Sequence, residues 1–256
     1  MNIRILGAHN CESVTTKFVC LLIDDTLALD AGGLTSSLSI SEQKELKAIL
    51  LTHQHYDHIR DVPAIAVNLC LQGASIEVYC PPAVCASIEK HIFNDRIYPK
   101  FQELPKEKPT VRFTLITPYE PASIDGYEIL AIPVNHGSTT VGYQVTSPEG
   151  KTMFYTADTG PGISDCWQYL SPRLLIVDVT VPDRYEKFAI NTGHLTPGLL
   201  YTELIKFREL KGYLPQVIAV HMNPALEQEI KEEVAGVAES LNTIITVAHG
   251  GMQLNM

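Results

Sequence analysis

Residues 47–58 read KAILLTHQHYDH. The apolar run AILL suits a buried strand and is short for a helix. It leads straight into three histidines and an aspartate within six positions: His53, His55, Asp57 and His58. A strand ending at His53 would let His53 and His55, two apart, face one cavity, because strand side chains alternate in direction. Asp57 and His58 follow where the pattern turns helical, and can point to a neighbouring position in that cavity. Neutral imidazole and carboxylate suit zinc, manganese or iron. One such loop can serve two metal positions about 3.5–4 Å apart, the separation used by hydrolytic two-metal sites.

The rest of the chain reads as short apolar runs ending in glycine, proline or aspartate, with helical patterns between them. NIRILG is expected as a first strand. FVCLLID and LALDAGG read as a hairpin turning at Asp24-Asp25-Thr26, and SISEQKEL is compatible with a helix. From Asp57 through Leu71 apolar residues recur near helical spacing, with Pro63 early, where a first turn tolerates it. IEVYC is a strand and PPAVCASIEKHI a helix. Residues 94–109 carry charge and proline without periodicity and read as a loop or lid. Further strands are expected at VRFTLIT, YEILAIPV, VGYQVTS, KTMFYTAD, RLLIVDVT, VIAVH and TIITVA, and helices near 164–170, 197–210 and 225–241. The pattern is mixed α/β in a single domain over 1–256.

With 45% hydrophobic and 19% charged residues, a chain of 256 residues can bury a large core. A net charge of −10 argues against broad capture of nucleic acid or of an anionic membrane. The chain opens MNIRILGAHN, without an apolar signal-type segment, and no stretch reaches roughly 18 apolar residues. A cytoplasmic location is the expectation. Cys11, Cys20, Cys70, Cys80, Cys85 and Cys166 form no CxxC pair and read as reduced thiols, small core residues.

Other ligand-type residues stand at the ends of expected strands: His136 after EILAIPVN, Asp158 after TMFYTA and His221 after VIAV. Strand ends hold a side chain rigidly at a solvent-facing edge. His194, in NTGHLTP, adds another, although Thr196 and Pro197 beside it also read as a helix start. His91 reads as a solvated helix residue. His9 and His249 lack support as ligands. Asp30, in LALDAGG, reads equally as a brace for a ligand histidine or as a turn residue before Gly32-Gly33.

HQHYDH followed by His136, Asp158 and His221 resembles the metallo-β-lactamase superfamily along nearly the whole chain. The resemblance implies an αββα sandwich with a dinuclear metal site. Carried over, His53, His55 and His136 would hold one metal, Asp57, His58 and His221 the second, and Asp158 would bridge them. The commonest true β-lactamases have arginine where His58 stands and cysteine where Asp158 stands, so antibiotic hydrolysis is not expected. Flavodiiron members have glutamate in place of His55. ADTGPGISDCWQYL, TGHLTPGLLYTEL and VIAVHMNP are similar to segments of the class II cyclic-nucleotide phosphodiesterases, and the wider pattern resembles the tRNA 3′-processing ribonucleases (ribonuclease Z-like). Tyr56 stands where the first motif usually has leucine. Only 22 positions separate His136 from Asp158 (158 − 136), which leaves no room for the long arm some tRNA-processing relatives insert there.

The expectation is therefore a metal-dependent hydrolase in which two divalent cations, zinc first and manganese or iron as alternatives, make water nucleophilic toward a small phosphodiester such as a cyclic nucleotide. Asp57 would help orient the nucleophile. His194 would hydrogen-bond the phosphate or protonate the departing oxygen. A tRNA substrate is disfavoured, no membrane partner is expected, and a homodimer is only a base-rate expectation. The rival readings are a thioesterase or lactonase using the same ligands, and a non-enzymatic diiron sensor of oxygen or redox state.

Overall fold

Asp24 and Asp25 both have positive φ, 44° and 59°, and the Thr26 N–H closes on the Ile23 carbonyl at 3.0 Å. Two consecutive left-handed residues make the kind of turn whose twist matches flanking antiparallel strands. The expected hairpin thus forms, between β2 (Cys20–Ile23) and β3 (Leu27–Leu29). The computed structural model describes residues 1–137 and 139–256. They form two compact units, each built on its own seven-stranded sheet.

Unit 1 comprises Met1–Gly7, Lys17–Thr117 and Gly250–Met256. Its remaining strands are β1 (Asn2–Gly7), β4 (Ala48–Leu50), β5 (Ile76–Cys80), β6 (Val111–Leu115) and β14 (Met252–Asn255), in the order β14-β1-β2-β3-β4-β5-β6. Strands β3 to β6 run parallel. Its helices are α1 (Ile40–Glu45), α2 (Tyr56–Ile59), α3 (Val62–Leu71) and α4 (Pro82–His91). Ser39 caps α1 through a capping box with Glu42. Ile65, Ala66 and Leu69 of α3 bury against Ile49, Val78 and Cys80 in one core.

Two expectations change here. The strand expected to end at His53 stops at Leu50, and the Thr52 N–H turns instead to the Asp30 carboxylate at 2.9 Å. The helical stretch from Asp57 to Leu71 is broken into α2 and α3. The Ala31 N–H takes the His58 carbonyl at 2.7 Å and the Ala31 carbonyl takes the Asp61 N–H at 2.9 Å, so the chain is pinned to Ala31 between the two helices. Residues 94–109 contain no helix or strand, as expected, but Phe101 is buried with Phe93, their rings 5.6 Å apart. Such anchoring makes this a tethered loop.

Unit 2 comprises Ala8–Thr16 and Pro118–His249. Its strands are β7 (Pro121–Ile124), β8 (Tyr127–Pro133), β9 (Val141–Thr146), β10 (Thr152–Tyr155), β11 (Leu174–Asp178), β12 (Gln216–Val220) and β13 (Ile245–Val247), in the order β13-β12-β11-β10-β9-β8-β7. Strands β10 to β13 are parallel, and β11 is buried along its whole length, as the near-continuous apolar run LLIV requires in a parallel sheet. The helices are α5 (Glu186–Thr192), α6 (Pro197–Lys211) and α7 (Glu227–Leu241). Thr196 caps α6 with Pro197 in its first turn. The helix expected near 164–170 is a 3-10 helix, Ile163–Tyr169, opened by Gly162 at φ 101°. It places Trp167 between Phe154 and Phe207, at 6.3 and 5.1 Å ring separation. Strands β7 and β14 and helix α5 add to the expected elements, because their sequences carry no strong pattern.

Candidate metal centre

In unit 1 the ligand-type residues lie on the loop after β4 and in α2. His55 sits at the N-cap of α2, so Asp57 and His58 occupy its first turn. The fully buried Asp30, immediately after β3, organises this loop. One of its oxygens, Oδ2, accepts from His58 Nδ1 at 2.7 Å, and both lie 3.0 Å from the Thr52 hydroxyl. Thr52 Oγ1 is also 3.0 Å from His53 Nδ1. A hydroxyl has one proton to give. Since that proton goes to the carboxylate, His53 donates from Nδ1, and the lone pair of its Nε2 faces outward. His53 Nε2 lies 3.0 Å from His55 Nδ1, and His58 Nε2 lies 3.4 Å from Asp57 Oδ2. Each pair of donor atoms converges. Asp30 is therefore a brace, which decides between its two readings. Gly32, two residues on, cannot carry a side chain, because a Cβ there would lie 2.4 Å from the Asp57 carbonyl oxygen.

In unit 2 the ligand-type residues stand at the carboxyl ends of parallel strands and after β8. Asp158 follows β10, Asp178 ends β11 and His221 follows β12, in a sheet whose register pairs Asp178 with Val220. The carboxyl ends of parallel strands are where open α/β sheets build their sites. His136 donates from Nδ1 to the Gly193 carbonyl at 2.8 Å. Gly193 caps α5 at φ 73°, and a Cβ on it would approach that same Nδ1 to 3.0 Å. The two Asp158 oxygens address different imidazoles, Oδ2 at 3.6 Å from His136 Nε2 and Oδ1 at 3.3 Å from His221 Nε2.

Asp178, which sequence reasoning missed, does in unit 2 what Asp30 does in unit 1. Its carboxylate is fully buried. It accepts from His194 Nδ1 at 2.7 Å and from the Thr180 hydroxyl at 2.5 Å, and Thr180 Oγ1 in turn takes His221 Nδ1 at 2.8 Å. Asp158, Asp178, His194 and His221 each bring one ligand-type atom within 4.8 Å of the others. Burial alone would push the His194 imidazole down, but the charge and hydrogen bond of Asp178 outweigh it and hold His194 above its ordinary value. Burial likewise works against an ionised Asp178, and His194 and His221 overcome it and keep the carboxyl below its ordinary range.

These donor sets fit divalent cations. In His53, His58, His136 and His221 an oxygen holds Nδ1, which fixes the tautomer and turns Nε2 outward, as metal-ligating imidazoles are held. Three residues at or beside the donors carry positive φ without being glycine: Asp30 at 57°, Ala157 at 57° and His221 itself at 67°. Such strain of about 1–3 kcal/mol per residue gathers at functional sites.

Among the described residues the remaining histidines stay apart from these sets. His9 is buried, with Nε2 3.1 Å from Glu227 Oε2. His91 and His249 are exposed. All six cysteines are free; Cys20, Cys80 and Cys166 are core residues as expected, whereas Cys11 is exposed and Cys70 and Cys85 are half-buried, and burial pushes the Cys80 thiol up to about 12 and the Cys166 thiol up to about 11.

A family model described as "Beta-lactamase superfamily domain" matches residues 29–222, and so reaches from the Asp30 brace past His221. The chain belongs to the metallo-β-lactamase superfamily. Members of this superfamily are metal-dependent hydrolases. No curated protein matches the chain. Among solved structures, unliganded yeast PDE1 superposes with a TM-score of 0.84 at 16% identity, covering 100% of this chain and 99% of that one. The metallo-β-lactamase fold protein YhfI from Bacillus subtilis gives 0.78 at 16% identity, covering 99% and 98%. The short form of human tRNase Z gives 0.69 at 18% identity, covering 100% and 99%. At these identities the likeness is one of fold. The expected fold class, mixed α/β on two sheets, is the one observed. No helix among the described residues is long and apolar enough to cross a membrane.

Proposed function

We propose that this chain is a dinuclear metal-dependent phosphodiesterase. The observation that carries the reading is the paired bracing. Asp30 with Thr52, and Asp178 with Thr180, each fix two imidazoles by Nδ1, an arrangement that folding alone does not call for in both units. In this reading His53, His55 and His136 hold one cation, Asp57, His58 and His221 the other, and Asp158 serves both, consistent with its two oxygens addressing two imidazoles. Zinc, manganese and iron all suit these donors. When bound, two such cations lower the pKa of water from 15.7 toward about 7 and neutralise charge on a phosphoryl group.

The chain's own residues supply the rest. The Asp57 carboxylate, at the mouth of α2, orients the attacking water. His194 is the proton donor. Its Nδ1 is committed to Asp178, so Nε2 is the atom that carries the proton for the departing oxygen, and the buried carboxylate favours the protonated form of that imidazole. The sequence departs from true β-lactamases at His58 and Asp158 and from flavodiiron members at His55, which supports diester hydrolysis over lactam hydrolysis or redox chemistry. The location we infer is cytoplasmic.

A substrate panel tests this. Purified protein loaded in turn with zinc, manganese or iron is given a chromogenic phosphodiester, cyclic AMP, a thioester and an acyl lactone. Hydrolysis of a diester is expected. Activity confined to the carbonyl substrates would replace this reading with a thioesterase or lactonase, and an iron-loaded protein that turns over nothing and changes colour in air would replace it with a sensor.

A further inference from the structure

His221 carries its imidazole on a left-handed backbone, at φ 67°. A residue with a side chain keeps that conformation only where its surroundings over-determine it. The Thr180 hydroxyl holds the ring by Nδ1 at 2.8 Å, and the backbone is held from the other end of the unit's sequence. The His221 N–H donates to the Ala8 carbonyl at 2.7 Å, and the Met222 N–H donates to the same carbonyl at 3.3 Å. The Asn10 N–H in turn donates to the Met222 carbonyl at 3.2 Å. Residues 8–10 thus run beside Met222 as an isolated bridge between His9 and Met222.

Residues 11–15, which follow, are all exposed and contain no helix or strand, so they give this segment no anchor. The His9 side chain supplies one. The imidazole is buried, and its Nε2 lies 3.1 Å from Glu227 Oε2. Glu227 is the first residue of α7. Its other oxygen, Oε1, takes the Lys231 ammonium at 2.7 Å, one turn further along the helix. Burial works against an ionised Glu227, and Lys231 and His9 overcome it and keep the carboxyl below its ordinary range. Two neighbouring residues therefore hold both ends of the link from β12 to α7: Ala8 holds His221 where the link begins, and His9 holds Glu227 where it ends. An apolar side chain at position 9 would fill the space without the cost of desolvating an imidazole, so packing alone does not account for this histidine.

We propose that His9 is a positioning residue for His221. Bonded to Glu227, it keeps the Ala8 carbonyl on the His221 N–H, and so keeps His221 Nε2 directed at Asp158, whose Oδ1 lies 3.3 Å away. The role deepens the dinuclear reading above and rests on it, since His221 is the residue assigned there to the second cation.

Hydrogen exchange of the His221 amide, followed by NMR in the metal-stripped protein, reads this backbone without any cation. His9→Ala should speed it about tenfold or more, while the amides of β11 exchange as in the parent. Glu227→Ala should do the same, and the double variant should be no faster than either single one, because both remove one contact. His9→Gln, which keeps a donor, should stay near the parent. In titrations against a chromophoric chelator, the first of two zinc ions should bind His9→Ala as it binds the parent, and the second about tenfold more weakly, the usual scale of loss when a partner behind a ligand is removed. If His9→Ala does not fold, Glu227→Ala, altered at a half-buried position, is read in its place. Unchanged His221 exchange in the alanine variants, a uniform rise across all amides of unit 2, additive effects of the two substitutions, or a His9→Gln variant as fast as His9→Ala would each overturn the assignment. So would a parent that binds two zinc ions and a His9→Ala variant that binds both equally well, and the dinuclear reading would then stand without the clamp. Selective His221 exchange in a protein that binds no zinc would support the clamp and remove the dinuclear reading.

Discussion

His194 Nδ1 lies 2.7 Å from Asp178 Oδ2, a carboxylate with no exposure to solvent. The pair sets the tautomer and favours the charged form of the imidazole we assign as proton donor. Asp178→Asn keeps the shape and removes the charge. Turnover is expected to fall on the order of 10²-fold or more, within the range that general acid catalysis supplies. The alkaline limb of the pH–rate profile should also move to lower pH. Steady-state kinetics from pH 5 to 10 read both effects, and an unmoved limb would dissociate His194 from the acid role.

The same pair makes stability depend on pH. His194 is held above its ordinary 6.5 and Asp178 below its ordinary 3.8. The His194 contribution is therefore full below about 6.5 and is lost as pH rises through the raised value. The Asp178 contribution is present above about 3.8 and is lost as pH falls through the lowered one. In the metal-stripped protein His194→Gln should destabilise more at pH 6 than at pH 9. Urea denaturation of parent and variant at both pH values measures the difference, and an equal loss at both would contradict the assignment.

His194→Ala and Asp158→Ala should fail differently. The first should lower kcat by about 10²–10⁴-fold with metal content near that of the parent. The second should lose metal, because the Asp158 carboxylate is the one we assign to both cations. Elemental analysis alongside kinetics separates the two outcomes.

Asp30→Asn tests the brace in unit 1. Asparagine tolerates the left-handed backbone at φ 57°, so the change is confined to the carboxylate that holds His58 and Thr52. Metal affinity should fall about 10–100-fold, the usual effect of removing a partner behind a ligand. Competition with a chromophoric chelator measures it.

Gly193→Ala places a Cβ against His136 Nδ1 at a backbone φ of 73°. The left-handed conformation alone should cost about 1–2 kcal/mol, and the displaced imidazole should weaken metal binding as well. Thermal denaturation with and without added zinc reads both. In the parent, metal at about 100 times its Kd should raise stability by about 2.7 kcal/mol, and the variant should gain less.

The residues we assign as ligands are legible in the sequence because their signal is local. HQHYDH concentrates donors in six positions, and His136, Asp158 and His221 each follow an apolar run long enough to be a strand. The buried parallel strands are legible for the same reason, since burial on both faces of a parallel sheet demands such runs, although the one expected to end at His53 stops at Leu50. The bracing was legible only as one of two readings of Asp30. Asp178 closes the apolar run LLIV and resembles any aspartate at a strand end, while Thr52 and Thr180 look like ordinary strand-edge residues. The break between α2 and α3 was hidden too, because apolar spacing continues across it and the cause is Ala31, in a different part of the chain.

By itself, then, the sequence determined most of the elements and which side chains are of ligand type, for both follow from periodicity and residue type over a few positions. Only the tertiary structure decided which nitrogen of each imidazole is committed and which faces outward. That choice depends on hydrogen bonds from Asp30 to His58, 28 residues apart, and from Asp178 to His194, 16 residues apart, and no local pattern encodes a partner at such a distance.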